Sequence, residues 1–249
     1  MTADGWTRAV RQQLRLGRVL PLGGPHDGAW ITESAARAAL RHTAASLRGV
    51  VLGTLRIAPA DPDGSHGSPG TAVPAPPSAL PPGPLRITAD FVAYAGSSAE
   101  PIPVTAARLR TALSATATEG LGLTVTEIDL RVTHLLEDVA DEEQPTYPAP
   151  ESPPTATPPP TGDDENARAA AAALSVPGVT HLTATLGRPH ATGPALPRRH
   201  LLVELAVTED RRALDVARDV RAAVSEALPG HPSVAVLVAS VVPAAGRYG

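Results

Sequence analysis

The sequence predicts an α/β protein of the α+β kind, made of two tandem modules that share the element order helix–strand–strand–helix–strand. A short turn occurs twice, as Leu-Arg-Gly-Val at 47–50 and Val-Pro-Gly-Val at 176–179, each time between an apolar helix and an apolar strand. A second strand, a helix and a closing Val-rich strand follow each turn. Each module is therefore expected to be a small mixed three-stranded sheet with its helices on one face, since a strand–helix–strand crossover returns the last strand parallel.

Residues 1–27 are predicted to form an N-terminal amphipathic helix followed by an extended segment. Trp6, Val10 and Leu14 recur every four residues, and Gly17 ends the pattern. Arginines lie on the opposite face, so one interpretation places this helix on anionic lipid. Because the helix has only three apolar residues, docking on the protein's own body is the favoured interpretation.

The first module is placed at residues 28–136 and opens with an amphipathic helix. Thr32 is its expected N-cap, because a threonine oxygen can accept a backbone N–H of the first turn. The predicted buried stripe consists of Ala36, Leu40, Ala44 and Leu47. An apolar strand is predicted to follow at 50–57.

The next part of the first module is predicted to be an insertion between two strands. Residues 58–84 are mostly Pro, Gly, Ala, Ser and Asp. Such a composition buries too little apolar area to offset the entropy of ordering, so a disordered insertion is expected. Apolar and polar residues then alternate over 85–94, which predicts a half-buried strand with Phe91 pointing inward.

The closing strand of the first module follows a helix predicted at about 103–118. Its apolar positions change from odd to even numbers, namely Leu123, Val125, Ile128, Leu130 and Val132. One interpretation is a β-bulge near 126–127, because one extra residue would put all five side chains on one face. The other interpretation is that the strand begins only at Ile128.

Residues 137–162 are predicted to be a linker between the modules. Acidic residues at its start precede a run rich in Pro. This composition is typical of a stiff, solvated segment that is partly in the polyproline II conformation. Pro-rich segments also dock on aromatic grooves, but a spacer is the favoured interpretation.

The second module is placed at residues 163–242, with a frayed tail at 243–249. Its predicted elements are a helix at 167–174, strands at 179–186 and 201–208, a helix at 214–228 and a strand at 234–238. Four arginines gather on the second helix, namely Arg211, Arg212, Arg218 and Arg221. They are interpreted either as a surface for an acidic partner, possibly the chain's own linker, or as an ordinary solvated face, and the second interpretation is favoured.

The composition excludes several classes of function. All 21 basic residues are Arg, so lysine Schiff-base chemistry and the Walker lysine are excluded. The absence of Cys excludes disulfides, thiolate nucleophiles and Cys-based metal sites. The net charge of −4 disfavours nucleic-acid binding. No apolar run approaches membrane-spanning length and no signal peptide is recognised, so a soluble, cytoplasmic chain is expected.

The sequence predicts no catalytic, cofactor-binding or metal-ligating residue, and no cofactor. The 8 His residues include no pair at metal-ligand spacing. His181 and His200 both belong to the second hairpin, but its loop places them several rungs apart. The Gly-Ser-His-Gly-Ser stretch at 64–68 looks catalytic but lies in the predicted disordered insertion, where no scaffold could orient a base.

The turns, the strand pairs and the closing strand Ile-Asp-Leu-Arg-Val at 128–132 resemble the alkaline shock protein family, the envelope stress response proteins of Gram-positive bacteria. The resemblance covers about 28–136 and, more loosely, 163–242, and the composition looks actinobacterial. It departs from the family in its two modules, its insertion and its N-terminal extension. The resemblance implies a non-enzymatic cytoplasmic protein, often held at the membrane by a separate anchored partner and able to self-associate.

The sequence is therefore interpreted as a scaffold or adaptor that acts through protein contacts, with the open sheet edges of each module as the interaction surface. The two modules are expected to pack together as an internal pseudo-dimer. The alternative is a small-molecule-binding or enzymatic module that uses the cleft between the repeats.

Overall fold

The computed structural model describes residues 17–61, 73–94, 100–136, 156–158, 164–184 and 200–243. Its elements in chain order are β1 (Val19–Leu22), β2 (Ala29–Thr32), α1 (Glu33–Ala45), β3 (Val50–Pro59), β4 (Leu85–Tyr94), α2 (Ile102–Ala115), β5 (Val125–Leu136), α3 (Glu165–Leu174), β6 (Val179–Leu182), β7 (His200–Thr208), α4 (Ala213–Ala227) and β8 (Ser233–Val242). A π-helical turn, Thr116–Leu121, extends α2. The N-terminal helix predicted within 1–27, most of the linker and the tail lie outside the described residues.

The predicted fold class and the repeated element order are confirmed. In the first module β3 pairs antiparallel with β4, and β4 pairs parallel with β5. The second module repeats this arrangement with β6, β7 and β8. Buried apolar residues of both modules form one continuous core, so the two repeats pack against each other.

The sheet of the second module is larger than predicted, because it has five strands in the order β1-β2-β8-β7-β6. The two additional strands form a hairpin, β1 with β2, and β2 pairs parallel with β8. These residues were predicted to lie before and at the start of the first module. All four residues of β2 are buried, so β2 lacks the alternation of polar and apolar residues that identifies a half-buried strand.

The start of α1 joins the two modules. Thr32 is the N-cap as predicted, and its Oγ1 accepts the backbone N–H of Ala35 at 3.2 Å. The same hydroxyl donates to the carbonyl of Ala239 in β8 at 3.2 Å. Because Ala239 belongs to the second module, one buried side chain both caps the helix and ties it to the neighbouring sheet.

A β-bulge shapes the beginning of β5, which confirms one of the two interpretations of its changing phase. Val125 lies opposite Leu85, whereas Glu127 lies opposite Arg86, so Thr126 is the extra residue. The strand begins at Val125, and the interpretation that it begins only at Ile128 is wrong.

The insertion predicted to be disordered over 58–84 is ordered at both ends. Ala58 and Pro59 pair within β3. Val73 is only 3% exposed and packs with Trp30 and Leu237 on the second face of the five-stranded sheet. The average composition of the segment did not indicate this one buried side chain. The central residues 62–72 lie outside the described part of the chain.

Candidate protein-binding edge of the three-stranded sheet

Both outer edges of the five-stranded sheet are covered by other segments of the chain. On the β1 edge, the Val19 N–H donates to the Ser78 carbonyl at 3.2 Å and the Leu80 N–H donates to the Val19 carbonyl at 2.8 Å. On the β6 edge, the Thr157 N–H from the predicted linker donates to the Leu182 carbonyl at 2.8 Å. The expectation that each module has open edges is therefore wrong for the second module, because loop segments pair with its outer strands.

Arginine side chains occupy the outer edge of β3. The Arg18 guanidinium donates to the carbonyl of Ile57 at 2.6 Å, and the Arg41 guanidinium donates to the carbonyl of Gly53 at 3.2 Å. These bonds use carbonyl groups that an additional strand would need. The β3 edge is thus partly blocked by side chains.

The outer edge of β5 pairs with no strand among the described residues. The Leu85 N–H donates to the carbonyl of Thr124 at 2.8 Å, which shows that the backbone N–H and carbonyl groups of Leu85 point toward β5. Alternation along β4 then directs the backbone of Ile87, which lies opposite Ile128, toward β5 as well. In a parallel ladder the residue directly opposite directs its own N–H and carbonyl away, so those of Ile128 point outward.

The same alternation applies to the regular part of β5 that follows the bulge. Leu130 and Val132 share the parity of Ile128, so their backbone N–H and carbonyl groups also point away from β4. Arg110 supports this direction, because its Nε donates to the outward carbonyl of Ile128 at 3.3 Å. The edge therefore presents three successive donor–acceptor pairs, and a described side chain bonds only the first.

The second module shows what this position can accommodate. Its closing strand β8 corresponds to β5 in the repeat, and β2 pairs along the edge of β8 with Ala29 opposite Val236 and Ile31 opposite Val238. An added strand therefore fits the equivalent edge of this fold. In the first module no described residue supplies such a strand.

The two faces of β5 differ in polarity. Ile128 and Leu130 are partly buried against the core, whereas Val132 is 37% exposed and Leu135 is 52% exposed. Charged side chains occupy the other face, where the Arg86 Nε donates to Glu127 at 2.6 Å. Further ion pairs join Arg86 to Asp129 at 3.6 Å and Arg131 to Asp90 at 4.0 Å. These pairs are solvent-exposed, so each contributes little to stability.

The arginines of α4 bind the chain's own N-terminal turn. The Arg218 Nε donates to Asp27 at 2.8 Å, and the Arg221 Nε donates to the Val234 carbonyl at 2.8 Å. Arg221 also donates to the carbonyls of His26 and Asp27. Of the four arginines interpreted as a surface for an acidic partner or as a solvated face, Arg218 and Arg221 thus direct donors to oxygens of the chain itself, while the Arg218 side chain stays 47% exposed.

The ionisable groups of this contact have shifted pKa values. Burial alone would raise the pKa of Asp27, but hydrogen bonds from Arg218 and the Gly24 N–H, with the charges of Arg218 and Arg221, hold it below its ordinary value. Burial lowers the pKa of Arg221, and the nearby charge of Asp27 offsets this in part. The turn between β1 and β2 is thus held by charge-assisted bonds.

A surface cavity of about 370 Å³ lies beside these arginines, and Ser225 and Ser233 also line it. His200 Nδ1 lies 3.1 Å from the Ser233 hydroxyl. Burial lowers the pKa of His200, and a hydrogen bond with the Ser233 backbone opposes this in part. Arg218 and Arg221 direct donors to protein oxygens, so much of the cavity's hydrogen-bonding capacity is already used.

The histidines form no metal cluster in the described part of the chain, where no group of three or more His, Asp or Glu side chains could hold an ion. His181 lies opposite Ala206, several rungs from His200, as the hairpin loop predicted. His66 and His190 lie outside the described residues.

Interaction at sheet edges was predicted from the sequence, but the particular edge was not. The alternation of Glu127, Asp129 and Arg131 was a usable signal, because charges on one face of a strand mark that face as solvent-facing. Within the described ranges, no helix has the length and apolar character needed to cross a membrane. Comparisons of the chain with protein-family models, curated proteins and solved structures find no match.

Proposed function

We propose that this protein is a non-enzymatic scaffold or adaptor that acts through protein contacts. The observation that carries the proposal is the β5 edge, where backbone groups point outward and no described strand pairs with them. Chain segments bond to both edges of the five-stranded sheet, and arginines partly block the β3 edge. An edge with which no described strand pairs, beside others that the chain itself occupies, is the natural place for a partner strand.

The chemistry of the edge favours a peptide strand as the ligand. Each backbone hydrogen bond made on strand addition contributes about 0.5–1.5 kcal/mol net. The exposed Val132 and Leu135 offer apolar contact to alternate side chains of an added strand. Pairing of β2 along the equivalent strand β8 supports the same mode of binding.

The proposal extends to the cellular role and location. The protein acts in the envelope stress response, in the cytoplasm, at the inner face of the cell membrane, where a membrane-anchored partner holds it. The support for this part is the resemblance of both modules to the alkaline shock protein family. The alternative, a ligand-binding or enzymatic module in the cleft between the repeats, has less support because one continuous apolar core joins the repeats.

The test is affinity capture from the native cell, membranes included, with a variant that blocks the edge. Val132→Pro removes an outward N–H without removing a ladder bond to β4, and proline is tolerated on edge strands. Val132→Ala is the matched control, because it shortens the side chain but keeps the N–H. We expect the wild type and Val132→Ala to capture the same proteins and Val132→Pro to lose them.

The same experiment can contradict the proposal. Undiminished capture by a folded Val132→Pro protein would rule out β5 as the edge that binds the captured proteins. An integral membrane protein among the specific partners supports the proposed location, and its absence from every capture counts against that location.

A further inference from the structure

We propose that the strand pairing with the β5 edge is β5 of a second copy of this chain, antiparallel, with the two-fold axis at Leu130. This inference rests on the proposed function and names the partner for the open edge. It follows from three properties of the regular part of β5, residues 127–132: the direction of its backbone groups, the order of its charges and the exposure of its apolar side chains.

The order of charges selects the register. Directly opposed residues must lie on the same face of the sheet, so the two-fold axis must pass through a residue. With the axis at Leu130, Asp129 lies opposite Arg131 of the second copy, and the pair occurs twice by symmetry. An axis at Asp129 would set this carboxylate against its own copy, and an axis at Arg131 would do the same with two cations.

The backbone supports the same register. Ile128, Leu130 and Val132 direct their N–H and carbonyl groups outward. Around an axis at Leu130, the two Leu130 residues exchange both of their bonds, and Ile128 exchanges its bonds with Val132 of the second copy. All outward groups of these three residues are then paired. Arg110 has to share or release the Ile128 carbonyl, which it now holds at 3.3 Å.

The apolar side chains are also self-complementary. On the core-facing side, Ile128 would lie opposite Val132 of the second copy, and Leu130 would lie opposite itself. Val132 is the exposed member of this row, and the second copy would cover it. Cross-strand apolar and opposite-charge pairs both stabilise antiparallel strands.

The assembly is closed. Antiparallel pairing uses the same edge on both copies, which gives a two-fold interface and joins two three-stranded sheets into one. The remaining edge of that sheet is β3, where Arg18 and Arg41 occupy backbone carbonyls. We therefore expect a dimer and no longer polymer.

Charge reversal with mixing tests the register. Asp129→Arg and Arg131→Asp each set like charges opposite one another in a homodimer, so we expect the dissociation constant of each to rise about tenfold or more. An equimolar mixture restores the opposite-charge pairs, because one chain then carries both cations and the other both anions. Sedimentation velocity over a concentration series measures each species.

Arg56→Asp is the matched control, because it reverses an exposed charge on β3 of the same sheet. We expect this variant to dimerise like the wild type. Thermal unfolding of each variant at low concentration establishes that it is folded. The Asp129 and Arg131 side chains are themselves exposed in the intramolecular pairs that these variants lose, so we expect each monomer to keep its fold.

Several results would overturn the inference. They are a wild type that stays monomeric at the highest attainable concentration, an open polymer, a dimer indifferent to both reversals, or a mixture that does not recover. If self-pairing fails while Val132→Pro still loses its captured partners, the proposed function stands with a different partner. If Val132→Pro changes neither self-association nor capture, both proposals fail.

Discussion

The Thr32 hydroxyl is expected to be a main link between the two modules, and its removal should destabilise the whole protein. Thr32 is 0% exposed. Its Oγ1 accepts the Ala35 N–H and donates to the Ala239 carbonyl, both at 3.2 Å. Thr32→Ala removes both bonds at the point where the first module's helix meets β8.

The magnitude follows from the groups that lose their partners. Loss of an N-cap costs about 1 kcal/mol, and loss of the hydroxyl donor to a buried carbonyl costs about 1 kcal/mol more. The deleted methyl group adds about 0.8 kcal/mol. We therefore expect Thr32→Ala to lower the free energy of unfolding by about 3 kcal/mol. Thr32→Ser keeps the hydroxyl and should lose about 1 kcal/mol.

Urea denaturation followed by tryptophan fluorescence measures this difference. Trp30 is buried in β2, two residues before Thr32, and a Trp6→Phe background leaves it as the only tryptophan. Circular dichroism should give the same midpoint if the two modules unfold together. Equal destabilisation by Thr32→Ala and Thr32→Ser would refute the role given to the hydroxyl.

Two further predictions concern the packing of the modules and the response to pH. Gly122 has φ 91°, and a Cβ there would lie 2.5 Å from Leu214 Cβ of α4. Gly122→Ala should therefore lower the free energy of unfolding by about 1–3 kcal/mol, as measured by urea titration. An unchanged free energy of unfolding would contradict this contact. Burial lowers the pKa of His200 from its ordinary value of 6.5, so on acidification this side chain takes up a proton in the unfolded chain before it does so in the folded chain. The stability that the neutral imidazole contributes above about pH 6.5 should therefore be lost as the pH falls below that value. Stability curves of the wild type and His200→Gln should converge toward acid pH if this is correct, and parallel curves would exclude it.

Local patterns were sufficient for some features of the fold. The N-cap at Thr32 follows from one side chain next to one helix, and the bulge at Thr126 follows from a change of parity within one strand. The N-cap is an interaction between neighbouring residues, and the bulge changes the pattern within one strand although its partner β4 is distant in sequence. The repeat of elements was also readable, because each helix and strand carries its own periodicity.

The pairing of β2 with β8 was not readable, because it joins residues about two hundred positions apart. β2 is a four-residue strand that is buried throughout, so no alternation identifies it. The same limit applies to the choice of open edge. Sheet order decides that β8 is central and β5 is an edge, and no local pattern states the order of strands.

The two closing strands nevertheless differ in a way that fits their positions. β8 reads Ser-Val-Ala-Val-Leu-Val-Ala-Ser-Val-Val and is buried along most of its length, because both faces of its sheet are covered and strands lie on both sides. β5 alternates charged and apolar residues and is largely exposed. An edge strand that contacts only solvent needs no particular order of charges. Edge strands that avoid pairing with another chain carry inward-pointing charges or charges of one sign. In β5 an acid and a base instead flank Leu130 symmetrically. That order sets each acid against a base in the antiparallel register with its axis at Leu130, and this is the reason to expect a second β5 at the edge that no described strand pairs with.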